Sequence, residues 1–364
     1  MKKMKFAIIG CGRIALKHVE GIINNNEEAE LVATCDLLEE LAIKKANKYK
    51  NEIESINEIK VYIDYKKMID EIDIDVVTIA TESGYHAEIA MYCMNKGKHV
   101  IVEKPMALST TDAEKMIECA RDNTVKLCIS HQNRFNPSIQ KLRKAVEKGR
   151  FGRLINGTAR ILWNRNMDYY NQAPWRGTWH LDGGTLMNQC IHNIDLLQWM
   201  LGGEIESVYS QCDTFLRDIE GEDFGTIIAR FKNGAIGLVE GSACVYPKNL
   251  KETLDLFGEK GTVSIGGIAV NNIEVWRFAD STDDEDTIIS EIKEEVDSVY
   301  GFGHTPLFKD MIDAIKNDRE PLINGEEGKK SIDIILAAYK SRLTEQPVKF
   351  PIGEFSTTEM KFNE

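Results

Sequence analysis

The chain has 364 residues, 43% of them hydrophobic and 28% charged, and carries a net charge of −13. That length is long for one hydrophobic core and predicts two domains. The acidic balance argues against nucleic acid as a partner, and no apolar run reaches the roughly 20 residues that a membrane-spanning helix needs.

The first third alternates strand-like and helix-like segments. Strands are predicted over 5–9, 31–35, 76–80, 100–102 and 127–130. Helices are predicted over 14–24, 39–50, 66–71, 86–95 and 111–123. This alternation implies a parallel sheet covered on both faces, in a first domain spanning 1–128. Lysines at the extreme N-terminus precede only a short apolar run, Phe6–Ile9, too short for a signal-peptide core, so a cytoplasmic location is expected. The eight cysteines are scattered, with no Cys-x-x-Cys pair and no compact Cys/His cluster. Free thiols in a reducing compartment are expected, and no metal site.

That first strand leads into Gly10-Cys-Gly12-Arg13-Ile14-Ala15, a dinucleotide-binding fingerprint with Ala in its third small position. Gly10 permits the tight turn, Gly12 lets the backbone approach a pyrophosphate, and Ala15 lets helix and strand pack closely. The following helix start offers N–H groups to the phosphates, with Arg13 and Ile14 alongside. Asp36, 21 residues after Ala15, closes the second strand, where its carboxylate can accept from the adenosine ribose hydroxyls and repel a 2′-phosphate. Leu37 behind it adds no positive charge, so the expected cofactor is NAD.

Thr81-Glu-Ser-Gly-Tyr-His86 follows the strand over 76–80 and offers Thr81 and His86 as further cofactor contacts, with His86 equally readable as a structural residue at a helix N-terminus. The run His99-Val-Ile-Val-Glu103-Lys104-Pro105 places a lysine at the carboxyl end of a strand, the edge where ligands sit in an open α/β sheet. A lysine beside a bound nicotinamide can hydrogen-bond a substrate hydroxyl and help remove its proton. His131-Gln-Asn133-Arg134 comes next and is a candidate lining of a cleft between the domains.

From Gly152 the pattern changes to successive strands over 154–163, 205–215, 224–231, 235–244, 253–257, 262–265 and 273–278, with Asn233-Gly234 and Lys260-Gly261 as turns. A mostly antiparallel sheet in an α+β domain spanning 129–364 follows. One helix is predicted over 186–200, and two more near 307–317 and 328–343. Ahead of the first lies Trp175-Arg176-Gly-Thr-Trp179-His-Leu-Asp182-Gly-Gly184, and within it Asn188 and His192 share a helical face at i, i+4, with Asp195 three residues further on. A histidine oriented by a neighbouring acid is a natural proton shuttle. Arg134, Arg160, Arg165 and Arg176 are candidates for the local positive cluster that an anionic substrate would need in so acidic a protein.

Taken together, Gly10-x-Gly12-x-x-Ala15-x-x-His18, Glu103-Lys104-Pro105 and His192-x-x-Asp195 resemble the glucose–fructose oxidoreductase/inositol dehydrogenase/MocA family over nearly the whole chain. The resemblance implies a Rossmann domain, then an α+β domain whose large open sheet builds homo-oligomer contacts. It implies that Lys104 and His192 act at the reacting sugar hydroxyl and that Glu103 and Lys104 border the nicotinamide. One position departs from the pattern: many polyol-oxidising members carry Asp four residues before the histidine, where this chain has Asn188, which cannot take a proton. The Trp175–His192 stretch looks most like the nucleotide-sugar branch. The expected cofactor contacts are therefore Gly10, Gly12, Arg13, Ile14, Asp36, Thr81, His86, Glu103, Lys104, Asn133, Trp175 and Arg176. The expected substrate contacts are Lys104, Arg134, Arg160, Arg165, Asn188 and His192. The expected reaction is NAD-dependent oxidation of the 3-hydroxyl of a UDP-linked N-acetylated hexuronate, for polysaccharide biosynthesis. UDP-N-acetylglucosamine, inositol or a free sugar are alternative substrates, and a non-catalytic nucleotide sensor is the alternative class.

Overall fold

The computed structural model describes residues 2–54, 58–292 and 301–360. The chain divides into two compact units. One comprises Met1–Ala107, Thr111–Gln132 and Gly303–Lys329; the other comprises Leu108–Thr110, Asn133–Phe302 and Lys330–Glu364. The first unit thus takes in a segment from far along the chain, Gly303–Lys329, that a division into two consecutive domains does not provide for.

The opening elements are β1 (Met4–Ile9), α1 (Ala15–Ile23), β2 (Ala29–Cys35), α2 (Glu39–Ile53), β3 (Lys60–Tyr62), α3 (Tyr65–Glu71), β4 (Val76–Ile79), α4 (His86–Asn95), β5 (His99–Val102), α5 (Thr110–Asp122) and β6 (Leu127–Ile129). The six strands form one parallel sheet in the order β3-β2-β1-β4-β5-β6, which is the doubly wound order of dinucleotide-binding folds. Its central strands are continuously apolar and buried, with Phe6, Ala7, Ile8, Val76, Val77, Val100 and Ile101 all inaccessible, as a sheet covered on both faces requires. Edge strand β3 escaped the sequence reading because it is three residues long and partly exposed, and so shows no apolar run.

The following elements are α6 (Pro137–Glu147), β7 (Leu154–Leu162), α7 (Met167–Tyr170), α8 (Gly184–Asn188), α9 (Ile191–Leu201), β8 (Ile205–Asp213), β9 (Phe224–Phe231), β10 (Ile236–Ser242), β11 (Lys251–Gly258), β12 (Gly261–Gly266), β13 (Asn272–Phe278), α10 (Glu285–Glu291), α11 (His304–Lys316), α12 (Gly325–Thr344) and β14 (Val348–Lys349). Eight of the strands form a second sheet, β13-β12-β11-β7-β10-β9-β8-β14. Only β7 and β10 run parallel; the other pairs are antiparallel. The sheet's residues alternate between buried and accessible, and Leu197 of α9 lies over Gly157 and Gly237 on the buried face.

The returning segment belongs to the first unit because α11 packs on α1. Phe308 stacks on Phe6 at 5.8 Å between ring centroids and meets the His18 ring edge-on at 5.6 Å. The single helix expected over 186–200 is two helices: α8 ends at Asn188 and α9 begins at Ile191. The N–H groups of Gln189 and Cys190 both turn back to the Thr185 carbonyl, which closes one helix before the next opens.

Candidate active site

The phosphate-binding turn in the first unit has the properties its sequence requires. Gly10 has φ +83°, and a Cβ there would lie 2.6 Å from the Ala80 carbonyl carbon. Gly12 is the opposite case: a Cβ there would meet no atom within 4 Å, so its backbone faces open space at the start of α1, where a pyrophosphate would approach. Arg13 is exposed and Ile14 half-buried beside it. Asp36 is tied to this turn. Its Oδ2 accepts from the Cys11 N–H at 2.7 Å and its Oδ1 from the Leu38 N–H at 2.8 Å. Each oxygen keeps a second lone pair for a ribose hydroxyl. The turn, the helix start and the carboxylate fit NAD, whose nicotinamide supplies hydride acceptance when bound.

Thr81 follows β4 and is half-buried. His86 departs from its expected role as a cofactor contact. It is 1% exposed, with Nδ1 2.8 Å from the Pro105 carbonyl oxygen and Nε2 3.1 Å from that of Thr81. Burial lowers its pKa, and a neutral imidazole carries one N–H, so in that form it donates to one of these two carbonyls, of which Pro105 follows β5 at the shorter distance. The Glu103 side chain is likewise turned inward. It is 5% exposed, and its Oε1 lies 2.9 Å from His18 Nε2 and 3.3 Å from His304 Nε2. Burial alone would raise its pKa, yet the two imidazoles hold it well below the usual carboxylate range. Lys104 lies between these two anchored neighbours.

In the second unit the half-buried His192 sits on the first turn of α9 and the half-buried Asn188 on the last residue of α8. The helix break means that i, i+4 spacing no longer sets their relation. Asn188 donates through Nδ2 to Asp182 Oδ1, and Asp182 Oδ2 accepts from the Gly177 N–H at 2.7 Å. A buried carboxylate thus stands beside Asn188, supplied from the preceding loop. Asn188 Oδ1 accepts from Gln189 Nε2 at 2.7 Å, and Gln189 Oε1 accepts from Arg165 Nε at 2.9 Å.

Arg165 and Arg176 form the cationic surface. The Tyr169 ring has the Arg176 guanidinium 4.3 Å from its centroid and that of Arg165 at 5.1 Å. Arg165 also lies 4.6 Å from the Trp163 ring and Arg176 4.6 Å from that of Trp175. Aromatic faces hold the two charges in place without neutralising them. Nearby, Tyr170, Gly177, Asp182, Thr185 and Asn188 line a shallow concavity.

Two expected members are elsewhere. Arg134 is inaccessible and grips Asp195 with two hydrogen bonds, Nε to Oδ2 at 2.7 Å and Nη2 to Oδ1 at 2.6 Å. Its charge is matched there, and Asp195 is its counter-ion. Arg160 projects from the face of the second sheet opposite α9 and lies 3.3 Å from Glu240 on the neighbouring strand. Asn133 is 3% exposed.

Sequence reasoning gave Asp182 no role, although it stands in the Gly-Gly stretch, and missed Tyr169, Glu222 and Tyr339. Glu222 Oε1 accepts from the Leu186 N–H at 2.6 Å and lies 2.9 Å from the Tyr339 hydroxyl, which is 2.7 Å from the Gly183 carbonyl oxygen. No spacing rule connects residues 117 and 156 positions apart.

Comparison with known proteins identifies the family. Residues 4–131 match the oxidoreductase family with an NAD-binding Rossmann fold, and residues 139–264 match the GFO/IDH/MocA C-terminal domain. The structure of the WlbA dehydrogenase from Bordetella pertussis, in complex with NADH and UDP-GlcNAcA, is 34% identical with a TM-score of 0.85, covering 96% of this chain and 98% of that one. Myo-inositol 2-dehydrogenase of Thermotoga maritima is 26% identical over 361 residues, 95% of this chain and 98% of that protein. Inositol 2-dehydrogenase of Rhizobium meliloti is 27% identical over 282 residues, 75% of this chain and 78% of that protein. The chain belongs to the glucose–fructose oxidoreductase/inositol dehydrogenase/MocA family and is an NAD-dependent oxidoreductase.

Proposed function

We propose that the enzyme oxidises the 3-hydroxyl of a UDP-linked N-acetylated hexuronate, UDP-N-acetylglucosaminuronate, to a 3-keto sugar. The observation that carries this reading is the Arg165–Tyr169–Arg176 stack. Two guanidiniums held on aromatic faces in a protein of net charge −13 suit a diphosphate or a carboxylate, and inositol offers neither. The WlbA structure, with UDP-GlcNAcA bound, supports the same choice. Lys104 hydrogen-bonds the reacting hydroxyl oxygen and His192 receives its proton as the hydride leaves carbon 3 for NAD. Asn188 takes no proton; its amide, fixed on Asp182, orients the sugar.

A second reading, oxidation of inositol, is favoured by the inositol dehydrogenases among the sequence relatives. The deciding experiment offers NAD with UDP-N-acetylglucosaminuronate, UDP-N-acetylglucosamine, inositol or glucose and identifies keto products by mass spectrometry. Greater activity with inositol or glucose than with either UDP-sugar refutes the nucleotide-sugar reading. Homo-oligomerisation is part of the same proposal. The face of the second sheet that carries Arg160 also exposes Ile228 and Leu238, at 50% and 38%, and is suited to another copy. Light scattering on the purified protein tests it, and a monomer refutes it.

A further inference from the structure

We propose that His18, His304 and His86 form a cradle of buried imidazoles that fixes the Glu103–Pro105 backbone and thereby sets the position of the Lys104 ammonium. The inference deepens the reading of Lys104 as a proton-handling residue and rests on it. The residue before Lys104 is gripped through its side chain: Glu103 Oε1 is met by His18 Nε2 at 2.9 Å and by His304 Nε2 at 3.3 Å. The residue after it is gripped through its backbone, by His86 Nδ1 at 2.8 Å from the Pro105 carbonyl oxygen. The Lys104 N–H itself lies 3.3 Å from Glu103 Oε2. All three histidines are at most 3% exposed. They come from separate places in the first unit: α1 just after the phosphate-binding turn, the start of α4, and the start of α11, 201 residues beyond Glu103.

The tautomers follow from hydrogen-bond accounting. An ionised carboxylate only accepts, so His18 and His304 both present Nε2–H to it. A neutral imidazole protonated on Nε2 has a bare lone pair on Nδ1. The Nδ1 atoms of His18 and His304 are both buried without a hydrogen-bond partner, a tolerable fate for a lone pair and a costly one for an N–H. His18, His304 and Glu103 also have the composition of a metal site built from two histidines and a carboxylate, with donor atoms within 4.8 Å of one another. A metal-bound imidazole normally donates its other ring N–H to a second acceptor, and neither Nδ1 has one. The hydrogen-bonded cradle is therefore favoured over a metal. Its function is geometric: Lys104 carries a flexible four-carbon stem, and a shift of about 1 Å in a catalytic group costs roughly 100-fold in rate.

The test uses His304→Leu, which removes a donor, and His304→Gln, whose amide can replace the Nε2–H. With NAD and UDP-N-acetylglucosaminuronate, His304→Leu should lower kcat by about 10-fold or more and leave the Kd for NAD within about two-fold, while His304→Gln recovers most of the loss. In a Lys104→Met background, His304→Leu should cost nothing further, because it acts through Lys104; additive losses overturn the cradle. A readout without turnover uses reductively 13C-methylated protein, in which the Lys104 resonance is identified by its absence from Lys104→Arg. That resonance should move in His304→Leu and return in His304→Gln; an unmoved resonance overturns the proposal. If Lys104→Met keeps nearly wild-type turnover, the catalytic reading fails and the resonance still decides the cradle. Should His304→Leu aggregate, His304→Asn takes its place, its amide too short to reach Oε1. Stoichiometric metal in the purified protein, removed by chelation together with activity, also overturns the hydrogen-bonded form.

Discussion

Replacing Glu222 by Gln should flatten part of the pH dependence of stability. Glu222 is 1% exposed, and burial raises its pKa from 4.5 to about 8, more than the Leu186 N–H and the Tyr339 hydroxyl lower it. The surroundings agree with a neutral acid. The Tyr339 hydroxyl has one proton to share between the Gly183 carbonyl oxygen at 2.7 Å and Glu222 Oε1 at 2.9 Å, and Glu222 Oε2 is buried without a hydrogen-bond partner, which a neutral carboxyl tolerates better than a carboxylate. The folded protein therefore holds a proton that the unfolded chain releases above about pH 4.5. For an acid with a raised folded pKa, stability falls as pH rises through that window and levels off above about 8. At about 1.4 kcal/mol per unit, the wild type should lose roughly 2–3 kcal/mol relative to Glu222→Gln between pH ~5 and ~7. Glu252, also raised by burial to about 8, contributes equally to both proteins and cancels in the difference. Denaturant unfolding followed by tryptophan fluorescence is the suitable assay, since all five tryptophans lie in the second unit with Glu222. A stability difference that stays constant from pH ~5 to ~8 would refute the neutral acid.

Asp36→Ala should weaken NAD binding by about 1–3 kcal/mol, the scale of lost hydrogen bonds to a charged group, as read by calorimetry with NAD and NADP side by side. Tighter wild-type binding of NADP than of NAD would defeat the assigned role. Arg134→Met strands Asp195 in the core and should destabilise the second unit by about 3–5 kcal/mol; a change below about 1 kcal/mol in chemical denaturation would count against a structural ion pair. Arg176→Gln should raise the KM for the UDP-sugar more than it lowers kcat, because ground-state and transition-state binding suffer alike; steady-state kinetics showing the reverse would place Arg176 at the reacting atoms.

The parts of this protein that were readable from sequence are those encoded over short spans. The turn at Gly10–Ala15, Asp36 at a strand end and the alternation of strands and helices all report on neighbours within about two dozen positions. What stayed hidden depends on where distant segments meet. Arg134 looked like a free cation, and its partner Asp195 is 61 residues away. Arg160 looked like part of the same cluster, yet strand alternation puts it on the other face of the sheet. Glu103 stands at a strand end, where ligands usually bind, but it is claimed from within by a histidine from α11. The break between α8 and α9 has no Gly or Pro to announce it at Gln189-Cys190, so apolar periodicity ran straight through.

The return of Gly303–Lys329 to the first unit has a consequence for how the protein is made. A ribosome that has released only the first 132 residues has supplied all six strands of the parallel sheet. It has not supplied Phe308, which covers Phe6, or His304, which meets Glu103. The nucleotide-binding unit therefore waits, with part of its apolar core uncovered, until strands β7 to β13 of the second sheet have been synthesised. A fragment cut after residue 132 should expose Phe6 and aggregate, whereas splicing 303–329 to it through a short linker should restore a soluble, NAD-binding piece.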